Sequence, residues 1–139
     1  MGTEIRILIE GDPVAKGRPR FAMVNGKPIT FTPSKTRNFE AVVSLIARQQ
    51  APETPLEGPL AVDIFFAFTV PKSRAKKKAQ GTYKDTRPDL DNLIKAVLDG
   101  LNTAGIWRDD AQIATLSASK VWSDNPRTVV TVRPTALFE

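Results

Sequence analysis

Apolar and polar positions alternate near the start of the chain, where Ile5, Ile7 and Ile9 are set against Arg6 and Glu10. A period of two predicts a strand with one buried face. From Phe21 to Phe31, Asn25-Gly26 stands between two apolar-rich arms. That dipeptide predicts a tight hairpin, because both residues tolerate the left-handed backbone of a type I′ turn. Thr32 and Pro33 are expected as the N-cap and first residue of a helix. Its stripe is Phe39, Val42, Val43 and Ile46, and its end falls before Pro52. The stretch from Pro52 to Pro59 reads as a short linker.

Val62, Ile64, Phe66, Phe68 and Val70 share one face if Ala61 to Val70 is extended, and Phe65 and Ala67 occupy the other. Apolar residues on both faces predict a central strand buried on both sides. A second helix is expected from Asp91 to Ala104, its apolar stripe built from Leu90, Leu93, Ile94, Val97, Leu98 and Leu101, with Gly105 as its stop. Two strands should follow, Ile113 to Trp122 and Thr128 to Arg133, joined through the turn residues Ser123-Asp124-Asn125-Pro126. No internal repeat interrupts this order. The expectation is a single α+β domain over residues 1–139, a mixed sheet of about four to five strands covered by about two helices.

Composition narrows the chemistry mainly by what is missing. The chain has no cysteine, which removes thiolate nucleophiles, disulfides and cysteine-bound metals. It has no histidine either, which removes the commonest general base and every His-containing triad. An enzyme of this composition must work with carboxylates, Lys, Arg, Ser, Thr and one Tyr, and a metal held by oxygens alone is a hard cation such as Mg²⁺ or Mn²⁺. No apolar run approaches the ~20 residues of a membrane helix. The first residues lack the basic-then-apolar layout of a secretory signal, and Arg6 stands where a myristoylation site has Ser or Thr. A cytoplasmic protein is therefore expected.

The net charge of +5 is unevenly placed. Between Pro71 and Arg87 lie Lys72, Arg74, Lys76, Lys77, Lys78, Lys84 and Arg87 against one acid, Asp85. The rest of the chain is close to neutral. Such a local cluster suits contact with phosphates, although a solvated loop that aids solubility has the same pattern.

The chemistry concentrates in Arg87-Pro-Asp-Leu-Asp-Asn-Leu-Ile-Lys95 and Gly105-Ile-Trp-Arg-Asp-Asp110. In an extended segment Asp89 and Asp91 project to the same side, about 6–7 Å apart. Two carboxylates so placed repel unless a cation joins them. Lys95 lies one helical turn beyond Asp91. Its ammonium can stabilise charge that develops on a phosphodiester under attack. Asp110 would be a third ligand, completing the partial protein coordination usual for Mg²⁺. Each residue also has a plain alternative. Asp89 or Asp91 could cap the helix, Asp91–Lys95 could be a surface pair, and Asp109-Asp110 could be a turn. Trp107 and Trp122 fit a core better than a base-stacking surface.

Asp89-Leu-Asp-Asn-Leu-Ile-Lys95, then Asp99, then Ala104-Gly-Ile-Trp-Arg-Asp-Asp110-Ala-Gln resembles the RusA family of Holliday junction resolvases, whose pattern is D-x-D-N-x-x-K followed by a D-D pair after a short turn. Lys16-Gly-Arg-Pro-Arg20 is similar to the N-terminal basic motif of phage-borne members, which points to a prophage origin. The Pro71–Lys84 insert is longer and more basic than in the shortest members. The resemblance implies Mg²⁺ ligation by Asp89, Asp91 and Asp110, an essential Lys95, and supporting roles for Asn92 and Asp109. It also implies a homodimer that nicks opposed strands of four-way DNA in recombination and repair, with no organic cofactor. Lys16, Arg18 and Arg20 join the cluster from Lys72 to Arg87 as expected phosphate contacts. Two other readings fit the same residues: a non-catalytic branched-DNA-binding module, and a Mg²⁺-dependent nucleotide phosphohydrolase. The second lacks a Gly-rich phosphate loop.

Overall fold

The computed structural model describes residues 4–18, 20–72 and 80–136. Its elements in chain order are β1 (Ile5–Glu10), β2 (Arg20–Val24), β3 (Lys27–Phe31), α1 (Ser34–Gln50), β4 (Leu60–Thr69), α2 (Leu90–Leu101), a 3₁₀ turn (Asp110–Gln112), β5 (Ile113–Ser123) and β6 (Arg127–Pro134). The α+β expectation holds.

Four strands form one mixed sheet in the order β1-β6-β4-β5. β6 runs antiparallel to both neighbours, and β4 pairs with β5 in parallel. A parallel pair needs a long crossover, and here the chain makes it through α2. Both helices lie on one face of the sheet. Ile5, Ile7 and Ile9 of β1 meet Val62, Ile64, Phe66 and Phe68 of β4, Val130 and Val132 of β6, and Phe39, Val43, Leu93, Val97 and Leu101 of the helices in one core. The opposite sheet face is open, with Leu8 45% exposed and Asp63 paired to Arg133 at 3.0 Å.

β4 is interior in strand order as expected, but it is covered on one side only: Asp63 and Phe65 on the open face are partly exposed, because both helices pack on the other. Asn25 and Gly26 take φ of 51° and 76°, so the hairpin forms at the expected turn. It stands apart from the main sheet as a two-stranded ribbon with every residue exposed.

Helix boundaries depart from expectation at three ends. Pro33 is the N-cap of α1, with ψ 144°, and Ser34 opens the helix. α2 opens at Leu90 rather than Asp91, and Asn102 closes it, two residues short of Ala104. Gly105 (φ 81°) serves the turn beyond. Val42 is 44% exposed rather than core, because α1 buries Thr36, Phe39, Val43, Ser44 and Ala47 along a narrower stripe. The two helices approach closely at Gly100, where an added Cβ would lie 2.8 Å from Val43 Cβ.

Candidate active site

Asp89 and Asp91 sit where α2 begins. Asp89 has extended backbone (φ −68°, ψ 141°) and occupies the N-cap position, yet its side chain makes no cap hydrogen bond. Only its carbonyl is used, accepting from Leu93 N–H at 3.2 Å. Capping therefore does not account for the Asp89 carboxylate. Asp91 lies in the first turn, with Oδ1 accepting from Asn92 N–H at 3.0 Å. Both aspartates are exposed. The positive end of the helix dipole favours two anions here. Lys95 is exposed one turn further on, and the ion pairs among the described residues do not include it. The surface-pair alternative for Asp91 and Lys95 is thus not realised.

The segment entering this end is clamped from the sheet. Lys120 of β5 donates from Nζ to the carbonyls of Thr86 (2.6 Å) and Pro88 (2.7 Å). The Arg87–Pro88 peptide is cis. Arg87, Pro88, Asp89 and Asn92 line a shallow cleft of about 360 Å³. Pro88 also borders a larger trough of about 690 Å³, into which Arg18, Arg20 and Lys35 bring positive charge. Lys35 had no sequence signal beyond being one cation on a helix; its place beside the trough follows from how α1 packs.

Asp110 is elsewhere. Its Oδ2 accepts from Asn102 Nδ2 at 3.0 Å, and Asn102 closes α2. The helix has twelve residues, so at 1.5 Å rise per residue its two ends lie about 18 Å apart. Asp110 also precedes the first residue of β5, whereas Lys120, which clamps the Asp89 end, lies near the strand's far end. Among the described residues, no group of three or more acidic side chains gathers to hold a metal. Within one chain the helix stands between Asp110 and the pair Asp89 and Asp91. Each donor set remains chemically suited to a hard cation, being carboxylate oxygen throughout.

The end that bears Asp110 is firmly built. Asp109 caps the 3₁₀ turn: its Oδ1 accepts from Ala111 N–H at 2.8 Å. Gln112 Oε1 in return accepts from Asp109 N–H (3.1 Å) and Arg108 N–H (2.9 Å). The Gln112 amide donates to the carbonyls of Leu56 and Gly58. Trp107, 3% exposed, donates from Nε1 to Asn102 Oδ1 at 2.8 Å. Trp122 is 5% exposed, so both tryptophans are core residues.

Two of the expected phosphate contacts, Lys16 and Lys84, are engaged within the chain. Lys16 pairs with Glu40 (2.7 Å) and Asp99 (3.1 Å), its side chain 18% exposed, and it ties the segment after β1 to both helices. Partial burial pulls its pKa down, but the hydrogen bonds and charges of Glu40 and Asp99 outweigh that and hold it above the ordinary lysine value. Lys84 is 7% exposed; its Nζ lies 4.2 Å from the Trp122 ring centroid and 2.7 Å from Thr86 Oγ1. A buried ammonium held over an aromatic face is a packing cation. Arg18, Arg20, Lys72 and Arg87 are exposed. Arg74, Lys76, Lys77 and Lys78 lie outside the described residues.

The fold thus joins a sheet with one helical layer to exposed aspartates at a helix start, with a cation-lined trough beside them. Residues 10–133 match the family described as Endodeoxyribonuclease RusA, and the chain belongs to this endodeoxyribonuclease family. It is 40% identical over 136 residues to the "Uncharacterized protein YqaN" of Bacillus subtilis (strain 168), a match that covers 93% of this chain and 95% of that protein. It is 26% identical over 127 residues to the "Crossover junction endodeoxyribonuclease rusA" of Lactococcus phage r1t, covering 91% and 94% respectively. No helix among the described residues is long and apolar enough to cross a membrane.

Proposed function

We propose that the chain is a Mg²⁺-dependent, structure-specific endodeoxyribonuclease that resolves four-way DNA junctions by paired nicks, in recombination and repair. Mn²⁺ is a workable substitute. The working form is a homodimer in which each metal site draws on both protomers, Asp89 and Asp91 from one and Asp110 of the partner subunit. The observation that carries this reading is the division of the carboxylates between opposite ends of α2. A chain that needs all three at one cation requires a second copy.

The sheet offers a suitable seam. β5 is an edge strand, and Ala114, Thr115, Leu116 and Ser117 are exposed and uncharged. Its far part is already covered, by a bridge between Tyr83 and Val121. Uncharged open edges invite pairing. Two copies aligned antiparallel there put the start of one β5, next to Asp110, towards the end of the other, next to Lys120 and Asp89. A two-fold dimer also matches the symmetry of a four-way junction.

The chemistry such a cation supplies is polarisation of the scissile phosphodiester and a hydroxide nucleophile at neutral pH. The remaining work falls to the chain. Lys95 stabilises negative charge building on the phosphate oxygens. Lys120 fixes the backbone ahead of Asp89, and Asp109 shapes the turn that presents Asp110. Arg18, Arg20 and Lys35 hold backbone phosphates in the trough, with Lys72 and Arg87 beside them and Arg74, Lys76, Lys77 and Lys78 adding charge. Shape rather than base contact then selects the junction. Cleavage leaves 5′-phosphate and 3′-hydroxyl ends.

The test incubates purified protein with fixed and mobile four-way junctions and a linear duplex, with and without Mg²⁺. Paired nicks confined to junction and Mg²⁺ are expected. Asp91→Asn should bind the junction and leave it uncut, and Lys95→Ala should lose turnover far more than binding. Binding without any cleavage by the unaltered protein would leave a non-catalytic DNA-binding module.

A further inference from the structure

The structure assigns Asn102 and Trp107 as positioning residues that set the orientation of the Asp110 carboxylate for a divalent cation; this rests on the reading of Asp110 as a ligand. The argument is one of hydrogen-bond polarity. An indole N–H can only donate. Trp107 is buried and its Nε1 lies 2.8 Å from the Asn102 amide, so the oxygen of that amide must face the indole. The amide nitrogen is then obliged to face the other way, and there it meets Asp110 Oδ2 at 3.0 Å. An unconstrained asparagine could turn its oxygen on the carboxylate and repel it, but this one cannot.

Both ends of the relay are anchored. Asn102 closes α2, its backbone N–H donating to Leu98 carbonyl at 2.9 Å. Trp107 sits in the core, and the neighbouring Ile106 carbonyl accepts from Leu56 N–H at 2.8 Å. The Asp109–Gln112 capping box fixes the Asp110 backbone from the other side. One carboxylate oxygen is thus committed to Asn102, and Oδ1 has no hydrogen-bond partner among the described residues. Partners behind a ligand commonly govern cation affinity as strongly as this, about 10–100-fold.

The test is calorimetric titration of the full-length protein with Mn²⁺, together with its thermal melt and its metal-free junction affinity. Asn102→Leu removes the donor while keeping side-chain bulk and helical backbone. Trp107→Phe keeps an aromatic ring without the N–H and frees the amide to turn, which poses the same question should Asn102→Leu fail to fold. Either folded variant should bind Mn²⁺ about 10–100-fold more weakly, hold the junction unchanged without metal, and recover turnover as cation concentration is raised. Unchanged Mn²⁺ affinity in the folded variants, with Asp110→Asn weakened, would overturn the relay and leave Asp110 as ligand. Unchanged affinity in Asp110→Asn itself would overturn the ligand reading and the relay with it.

Discussion

Lys120 donates to the carbonyl oxygen of Pro88 at 2.7 Å, one residue ahead of Asp89, so a sheet residue holds the backbone from which the first carboxylate projects. The same ammonium reaches the Thr86 carbonyl at 2.6 Å. Lys120→Met keeps the aliphatic stem and removes both bonds. Turnover on junction DNA should fall by about 10–100-fold with little change in junction affinity, the behaviour of an outer support rather than a phosphate contact. Gel-shift titration beside single-turnover cleavage separates the two; equal losses in both would assign Lys120 to the DNA instead.

Lys16 gives the opposite expectation from its neighbours. Lys16→Met leaves Glu40 and Asp99 without the cation they share, and stability should drop by about 1–3 kcal/mol. The folded state raises this ammonium's pKa above the ordinary 10.5. Its contribution is therefore complete below pH 10.5 and is lost as pH rises through the folded value. Melting temperatures of the two proteins should converge above pH 10.5. A gap that widens there would refute the ion-pair assignment.

Arg18 and Arg20 are exposed and line the trough, and each should count in the salt dependence of binding. Arg18→Ala and Arg20→Ala should each weaken binding to junction and duplex alike, lowering the slope of log affinity against log salt by about one. Lys16→Met should leave that slope unaltered. Fluorescence anisotropy across a salt series reads both.

Gly100 marks the tightest contact between the helices. An alanine Cβ would lie 2.8 Å from Val43 Cβ and 3.0 Å from the Glu40 carbonyl oxygen. Crowding should outweigh alanine's better helix propensity, at a net cost of about 1–3 kcal/mol. Urea melts of Gly100→Ala should show that loss, and an unchanged midpoint would contradict the close approach.

Local patterns were legible in the sequence because they report neighbours a few residues apart. The alternation at Ile5, Ile7 and Ile9, the Asn25-Gly26 turn, the interior strand expected over Ala61 to Val70 and the Leu93–Val97–Leu101 stripe all reappear in the fold. Contacts set by tertiary packing were not legible. Lys16 looks like part of a basic motif, and only the packing of α1 against α2 brings Glu40 and Asp99 to it. Lys84 sits in a cationic run, yet the Tyr83–Val121 bridge turns it onto Trp122. A helix between Asp89 and Asp110 was legible, but the side that Asp110 takes was not: its carboxylate meets Asn102 at the far end of that helix. Asn102 and Lys120 carried no sequence signal, and Trp107 read as core alone, because hydrogen bonds to other side chains and carbonyls are not signalled by residue type.

The shared metal site is tested most directly by mixing two inactive proteins. Asp91→Asn and Asp110→Asn, each dead alone, are co-expressed with different tags and the mixed dimer is isolated. If each site joins Asp89 and Asp91 of one protomer to Asp110 of the partner subunit, one site carries both lesions and the other carries none. Mixed dimers should then nick a four-way junction at one strand in the presence of Mg²⁺. Mixed dimers as inactive as the parents would contradict a site divided between subunits.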